Sequence, residues 1–429
     1  MSHRRCVVAV SILVLASSFT LTRGAGTTIK NLQPFTDLSG ALETYSTQGS
    51  LDISNPFFHS LGTNGRSCSS CHAPSDGWSV SAAHLQDRFQ ATQGLDPIFQ
   101  AVDGADCPSA DVSNPSAYRL LLNKGLIRMS LPVPAGAEFT VVINNDPYSC
   151  PETTTSSLAL HRRPLPSANL PFLSAIMWDG RESSLTTQAR NATIVHSKPA
   201  QPPTDAQLQP IVSFETSLFT AQAMDNVAGS LTAKGAQGGP KALSQQTFFP
   251  GINPDGMDVF TIYSRWEGLG GTTKAAQQGS IARGEMLFNN RPMRISGVAG
   301  FNDVRGEETV NGTCGTCHNA PNVGSSSNFA MMNIGTSSPK SDLPSYLLQC
   351  TDGTQVVSSD PGRAMVTGKC ADIGKFKVPS MRGLAARAPY FHDGSARDLR
   401  EVIDFYDQRF GMLLTEEEKS VLMAFMNSL

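Results

Sequence analysis

The sequence of 429 residues predicts a mainly α-helical protein with two domains, long loops and little β structure. One observation is a five-residue motif that occurs twice, at Cys68–His72 and at Cys314–His318. Another is composition: glycine and proline are frequent, at 37 and 27 residues, whereas only 16% of the residues are charged. This composition favours long ordered loops over long solvated helices. The third is apolar spacing of helical period near the C-terminus.

Both motifs read Cys-x-x-Cys-His, the pattern of c-type haem attachment. Two cysteines three positions apart can each form a thioether with one vinyl group of a porphyrin, and the adjacent histidine can bind the iron. We therefore expect two covalently bound haem c groups. The residues that would hold them are Cys68, Cys71, His72, Cys314, Cys317 and His318. The alternatives are two zinc half-sites or two redox dithiols, neither of which requires histidine at the fifth position.

The N-terminus has the layout of a secretory signal peptide. Arg4 and Arg5 precede a largely apolar, uncharged stretch at 6–21, and small residues follow at 24–26. We expect residues 1–26 to be removed and the protein to be periplasmic or otherwise exported. Haem attachment to this motif normally follows export, so the two predictions support each other. An uncleaved N-terminal anchor is the alternative, and no other segment predicts a membrane span.

Four of the nine cysteines remain once the haem motifs and Cys6 are set aside. An even remainder in an oxidising compartment predicts two disulfides, for which three pairings exist. Pairing within each half of the chain is the simplest, and it joins Cys107 to Cys150 and Cys350 to Cys370. Four free buried thiols are the alternative.

The formal net charge of −3 and the absence of a basic patch with interleaved aromatic residues argue against nucleic acid as a partner.

The elements follow from local patterns, in chain order. Residues 55–62 predict a short apolar turn before the first motif, and 138–144 alternate as a short β-strand. The Gly-, Ala- and Gln-rich stretch 221–254 predicts a loop. We expect the domain boundary after residue 273, which gives an N-terminal haem domain at 27–273 and a C-terminal one at 274–429.

The second half carries the clearest helical patterns. Residues 281–288 predict a helix in which Gly284 allows close approach of another backbone. A helix starting near Ser395 would bury one face that includes Tyr406. The last helix begins at Thr415, with Glu418 completing a capping box.

Taken together, the sequence resembles the bacterial di-haem cytochrome c peroxidases and their relatives that mature a tryptophan-derived quinone cofactor. The resemblance covers nearly the whole chain after residue 26. It rests on the paired haem motifs, on Met177-Trp178-Asp179-Gly180-Arg181, and on the block Pro389–Gly394. It implies two cytochrome-c-like haem domains, with a peroxide-reactive N-terminal haem and an electron-supplying C-terminal haem.

The resemblance also implies roles for individual residues. Trp178 matches a tryptophan that lies between the haems, and Gln188 matches a glutamine that lines the active pocket. A calcium ion at the domain interface, a homodimer, and a small redox protein as electron donor are further features that the family suggests. Hydrogen peroxide or an oxidisable partner would be the substrate.

Two departures from the family bear on the chemistry. The distal glutamate expected about ten residues after Gln188 is absent, and His196 is the nearest proton-transfer group. The methionine that ligates the second iron in the peroxidases is replaced by Tyr406, as in the quinone-forming relatives. Other candidate ligands are His84 for the first iron and, for the second, Met331, Met332, Met381 and Met412.

Each candidate has a structural alternative. Trp178 and Tyr406 can be core aromatic residues, and His196 and His392 can belong to structural loops. Two functions therefore remain open. The chain is either a peroxidase-type enzyme that passes electrons through Trp178, or a non-catalytic di-haem electron-transfer cytochrome.

Overall fold

The computed structural model describes residues 27–151, 153–248, 251 and 258–429. The predicted signal peptide, residues 1–26, lies outside the described residues. Helix makes up 32% of the structure and strand 19%, so the fold is mixed α/β with small sheets, and the prediction of a mainly α protein with little β structure is confirmed only in part. None of the described helices is both long enough and apolar enough to cross a bilayer.

The helices of the described residues are mostly short. They are α1 (Ala82–Thr92), α2 (Arg119–Lys124), α3 (Leu185–Ala192), α4 (Asp205–Ser217), α5 (Gly239–Leu243), α6 (Thr273–Asn290), α7 (Asn302–Arg305), α8 (Cys314–Cys317), α9 (Ala364–Thr367), α10 (Leu399–Phe410) and α11 (Glu416–Asn427). A π-helical turn, Thr193–Ser197, continues α3 directly.

The strands form small antiparallel sheets. They are β1 (Thr28–Lys30), β2 (Phe35–Thr36), β3 (Gly40–Ser46), β4 (Ser50–Asp52), β5 (Ile127–Pro132), β6 (Phe139–Asn145), β7 (Ser157–Arg162), β8 (Leu218–Asp225), β9 (Gly229–Ser230), β10 (Met293–Ser296), β11 (Thr309–Gly312), β12 (Met331–Met332), β13 (Ser345–Cys350), β14 (Gln355–Ser358) and β15 (Phe376–Lys377). The strand predicted at 138–144 is confirmed as β6.

Two sheets join distant parts of the chain. One has the order β2-β3-β8-β9, and in it Thr44 lies opposite Thr220. The other has the order β14-β13-β6, so β6, from before residue 273, pairs with β13, from after it. The division into domains at 273/274 stays a prediction, and this sheet draws on both sides of it.

The helices predicted in the second half are confirmed. The α6 helix contains the predicted stretch 281–288, and a Cβ atom at Gly284 would lie 2.1 Å from the carbonyl oxygen of Val421 in α11. Glycine therefore lets α6 and α11 touch backbone to backbone. The capping box at Thr415 is present, whereas α10 is capped by Asp398 and not by Ser395.

The loop predicted at 221–254 contains regular structure instead. Its first residues complete β8, where the backbone bonds to β3 supply the order that the local composition does not indicate. Its Gly-Pro step opens α5, with Pro240 in the first turn, where proline's missing N–H costs no hydrogen bond.

The predicted disulfides are both present. Cys107 is bonded to Cys150 and Cys350 to Cys370, while the four motif cysteines are free. Each bridge closes a loop within one half of the chain and stabilises the fold by roughly 2–4 kcal/mol, chiefly by restricting the unfolded chain.

Candidate functional site

Each Cys-x-x-Cys-His motif forms one helical turn. In the first motif the N–H groups of Cys71 and His72 donate to the carbonyl of Cys68 at 3.1 and 3.0 Å. In the second, the N–H of His318 donates to the carbonyl of Cys314 at 3.1 Å. Both turns begin with a reciprocal cap, between Ser67 and Ser70 and between Thr313 and Thr316. The turn brings the two cysteines of each motif to one face.

Both motif histidines are held in the same way. Nδ1 of His72 lies 2.9 Å from the carbonyl oxygen of Trp78, and Nδ1 of His318 lies 2.5 Å from that of Gly324, six residues further on in each case. When Nδ1 carries the proton and donates it in this hydrogen bond, Nε2 is unprotonated and its lone pair can bind iron. Burial lowers the pKa of both imidazoles, and this favours the same neutral form.

The motif thiols differ from those of redox dithiols. Burial raises the pKa of Cys71 to about 11 and those of Cys314 and Cys317 to about 12, and that of Cys68 is raised further still. Redox dithiols have lowered thiol pKa values. Among residues 27–151, 153–248, 251 and 258–429, no three His, Cys, Asp or Glu side chains form a group that could hold a metal ion. The raised thiol pKa values therefore differ from those of a redox dithiol.

A cavity beside the second motif has the kind of lining that a haem group needs. Most of its lining side chains are apolar, and Cys314, Cys317 and His318 lie in its wall. Large apolar bodies need such a lining. The candidate residues from the sequence that line it are Cys314, Cys317, His318, Tyr406, Trp178, His392, Met332, Met381 and Met412.

Tyr406 shares this cavity with His318. Its ring stacks on Phe410 at a centroid distance of 6.1 Å, and its hydroxyl makes no hydrogen bond within the part of the chain described. Burial, together with the nearby Cys317 and Cys314 thiols, raises the pKa of Tyr406 well above its usual range. A core tyrosine normally finds a partner for its hydroxyl, so this one is available to a bound group.

Trp178 reaches the second cavity from the first half of the chain. Its indole N–H donates to the carbonyl of Arg163 at 2.8 Å, and its ring meets His392 edge-on at 6.2 Å. His392 in turn stacks on Phe376 at 4.0 Å. The N–H of Lys377 also donates to the carbonyl of Trp178, so backbone and ring contacts both hold the indole at the cavity wall.

A buried ion-pair network that the sequence did not indicate supports the Trp178 turn. Arg162 donates to Asp179 at 2.6 Å and twice to Asp360, at 2.6 and 2.9 Å. Arg181 donates to the same Asp179 at 2.9 and 3.0 Å. Arg162 and Asp360 are 198 positions apart, and no local spacing connects them.

His196 lies near the first motif, in the π-helical turn after α3. Its Nδ1 is hydrogen-bonded to Asp103, which also accepts from Arg66. The pKa of His72 is lowered mainly by burial. Asn64, four residues before Cys68, donates to the backbone carbonyl of His196 at 2.8 Å. The structure thus brings His196 to the first site, with a carboxylate partner that the sequence did not indicate.

Three further polar side chains belong to the first half of the chain. Gln188 lies two turns before His196, and its side chain makes no hydrogen bond within the described residues. His84 lies on α1, and its Nδ1 is hydrogen-bonded to Oδ2 of Asp76 at 2.8 Å. Glu215 on α4 is 5% exposed, and its side-chain Oε2 has no hydrogen-bond partner among the described residues. Its charge contributes to the raised pKa of Cys68.

Parts of the chain are similar in sequence to known cytochrome-c peroxidases. No family model matches the chain. It is 32% identical over 144 residues to "Cytochrome-c peroxidase IdrP2" of Denitromonas iodatirespirans, covering 28% of this chain and 37% of the relative. It is 30% identical over 190 residues to "Cytochrome-c peroxidase IdrP1" of the same organism, covering 39% and 44%.

A third relative is "Cytochrome c551 peroxidase" of Nitrosomonas europaea, 31% identical over 117 residues, which cover 27% of this chain and 30% of the relative. The matched stretches thus span less than half of these relatives' own length. A solved structure described as "a MauG-like protein associated with microbial copper homeostasis" aligns over 87% of this chain and 86% of its own, with 17% identity and a TM-score of 0.43.

Proposed function

We propose that this chain, a relative of the bacterial di-haem cytochrome-c peroxidases, is an exported di-haem c-type oxidoreductase of the peroxidase type. The observation that carries the proposal is the repeated geometry of the two motifs. Each presents two free thiols on one helical turn and a histidine whose Nδ1 is bonded to a backbone carbonyl. Cys68 and Cys71 would hold one haem and Cys314 and Cys317 the other.

Haem supplies, when bound, the redox iron at which peroxide is reduced. The chain supplies ligands and polar groups around it. His72 and His318 are the proposed proximal ligands, and Tyr406 is the proposed second ligand at the C-terminal site. The first site is the proposed site of peroxide reaction, because His196 offers it a proton-transfer group.

His196 and Gln188 are proposed to have different roles at the first site. Cleavage of an O–O bond is helped by a group that takes a proton from the near oxygen and returns it to the far one. His196 would do this through Nε2, since its Nδ1 is engaged by Asp103. Gln188 would orient the peroxide through its amide.

Trp178 is the proposed relay between the two haems. Its ring stands at the wall of the second cavity, while its residue belongs to the first half of the chain. An indole can be oxidised transiently, and its N–H stays bonded to Arg163, which limits movement of the ring during that change. Electrons would enter at the second haem from a small redox protein in the periplasm.

Haem stoichiometry tests the cofactor assignment. The purified protein should give two haems per chain in a denatured pyridine haemochrome assay. Two double variants should each retain one haem: Cys68→Ala/Cys71→Ala and Cys314→Ala/Cys317→Ala. A value of one or none in the unsubstituted protein would contradict the assignment.

Substitution of His196 tests the catalytic role. His196→Ala should slow the reaction with peroxide by roughly 10²–10⁴-fold, the usual contribution of a positioned proton-transfer group. His84→Ala is the matched control, because His84 is also paired with an aspartate but lies on α1. Equal rates in all three proteins would contradict the catalytic role of His196, whereas the absence of any reaction in the unsubstituted protein would favour the non-catalytic electron-transfer function.

A further inference from the structure

Asp103 is the buried centre of a three-residue chain beside the first motif. It is 2% exposed, and its two carboxylate oxygens have different partners: Oδ1 accepts from Arg66 and Oδ2 from Nδ1 of His196. Burial by itself would raise the pKa of Asp103, but His196 and Arg66 hold it below its usual value. The carboxylate is therefore ionised at neutral pH.

Arg66 holds Asp103 in place. Arg66 is 1% exposed, and each of its other two side-chain nitrogens also donates a hydrogen bond: Nε to the carbonyl of Pro97 at 2.7 Å and Nη2 to that of Ile98 at 2.6 Å. A guanidinium with every edge engaged has one orientation, since its donors form a rigid planar fork. The position of the Asp103 carboxylate follows from it.

The backbone of His196 is attached to the same short segment that carries Arg66. Asn64 donates through Nδ2 to the carbonyl of His196 at 2.8 Å. The N–H of Thr63 donates to the carbonyl of Ser197 at 3.0 Å, and a Cβ atom at Gly62 would lie 1.6 Å from that oxygen. Residues 62–66 lead directly into the first motif, so they align His196 and its carboxylate with that motif.

The geometry points to Asp103 as a positioning residue that orients His196 for proton transfer at the first site. The inference rests on the proposed function and deepens it. Because Asp103 accepts a hydrogen bond from the Nδ1–H group of His196, Nε2 is left unprotonated and can act as the base. The carboxylate also stabilises the imidazolium that forms when Nε2 takes a proton. This hydrogen bond would restrict rotation of the His196 imidazole ring and keep Nε2 directed toward the bound peroxide.

A double-mutant cycle tests the inference. Asp103→Asn should lower the rate constant of the peroxide reaction by roughly 10-fold or more, up to the loss seen in His196→Ala. In the His196→Ala background the same change should have no further effect, since Asp103 acts through the imidazole. An equal loss in both backgrounds would assign Asp103 a structural role only and overturn the inference.

A second readout is independent of turnover. Cyanide reaches the protein at neutral pH as HCN, whose proton a distal base takes as the ligand binds. The association rate of cyanide should fall in Asp103→Asn and in His196→Ala, and to a similar extent. An unchanged cyanide rate in Asp103→Asn, beside a slowed rate in His196→Ala, would contradict positioning by Asp103.

Loss of Asp103 leaves Arg66 buried without its counter-ion, which is costly for folding. The variant Arg66→Met/Asp103→Asn removes both charges and should fold where Asp103→Asn does not, with the same slow peroxide reaction. If the unsubstituted protein does not react with peroxide, the proposed function fails. If it reacts, His196→Ala is slow and both Asp103 variants are fast, only this inference fails.

Discussion

Tyr406 shows how far a single residue can be followed from the sequence. Its place on the apolar face of α10 was predicted from spacing, and it does line the second cavity. What the sequence could not supply is the state of its hydroxyl, which has no partner among the described residues. That state depends on side chains from distant elements, which meet only in the folded chain.

Replacement of Tyr406 should alter the second haem. Phenolate oxygen favours ferric iron, so Tyr406→Phe should raise the reduction potential of that haem and change its spin state. Potentiometry with optical and EPR spectra would measure both.

Tyr390→Phe is the matched control for Tyr406→Phe. Tyr390 lines the same cavity, but its hydroxyl donates to the carbonyl of Leu384 at 2.9 Å. The control should leave the second haem's spectrum unchanged. Identical spectra and potentials for Tyr406→Phe and the unsubstituted protein would refute ligation by Tyr406.

The contact between Asp103 and His196 is one that the sequence did not predict. His196 was identified from its distance after Gln188, but its carboxylate lies 93 positions away in a loop without a recognisable motif. The pair exists because residues 62–66 hold both partners. Local patterns carry no trace of such a contact.

At the scale of elements, helices with strong local signals were predicted and strands were mostly missed. The α6 and α11 helices have an apolar period or a capping box, which act within a few residues. The β3 and β8 strands are stabilised by each other, and their paired residues Thr44 and Thr220 are 176 positions apart. A strand that depends on a distant partner gives a weak local pattern.

The α4 helix carries a testable electrostatic cost. Burial of Glu215 raises its pKa from the usual 4.5 to about 8. Between these pH values the unfolded chain has lost a proton that the folded chain keeps, so stability falls as pH rises through this window. Glu215→Gln removes this loss.

The Gln variant should therefore be more stable than the unsubstituted protein, by roughly 4 kcal/mol at pH 8 and by much less at pH 5. Denaturant unfolding at the two pH values measures the difference. Glu417→Gln is the control, because Glu417 forms only an exposed ion pair with Arg283. A Glu215→Gln effect that is equal at both pH values would contradict the assigned burial cost.

At the scale of the whole molecule, ion pairs and a sheet join the two halves of the sequence. Arg162 and Asp179 come from the first half, and Asp360 comes from the second. Their side chains are at most 3% exposed. The sequence predicted two haem sites and their order, but not the contacts that connect the halves, since those depend on pairs about 200 positions apart.

Removal of Arg162 should weaken these contacts. Arg162→Met leaves Asp360 without its main partner and should lower the free energy of unfolding by about 3–5 kcal/mol. The exposed pair Arg283–Glu417 provides the comparison, and Arg283→Met should cost at most about 1 kcal/mol. Denaturant midpoints for both variants would measure this, and equal small effects would contradict the importance of the buried network.

The central claim is that the His72 haem reacts with peroxide while the second haem supplies electrons through Trp178. Rapid mixing of the purified di-haem protein with excess hydrogen peroxide, in the ferric and half-reduced states, tests it most directly. We expect a spectral change at the first haem in at least one state. No spectral response in either state would contradict the enzymatic function and leave the chain a di-haem electron carrier.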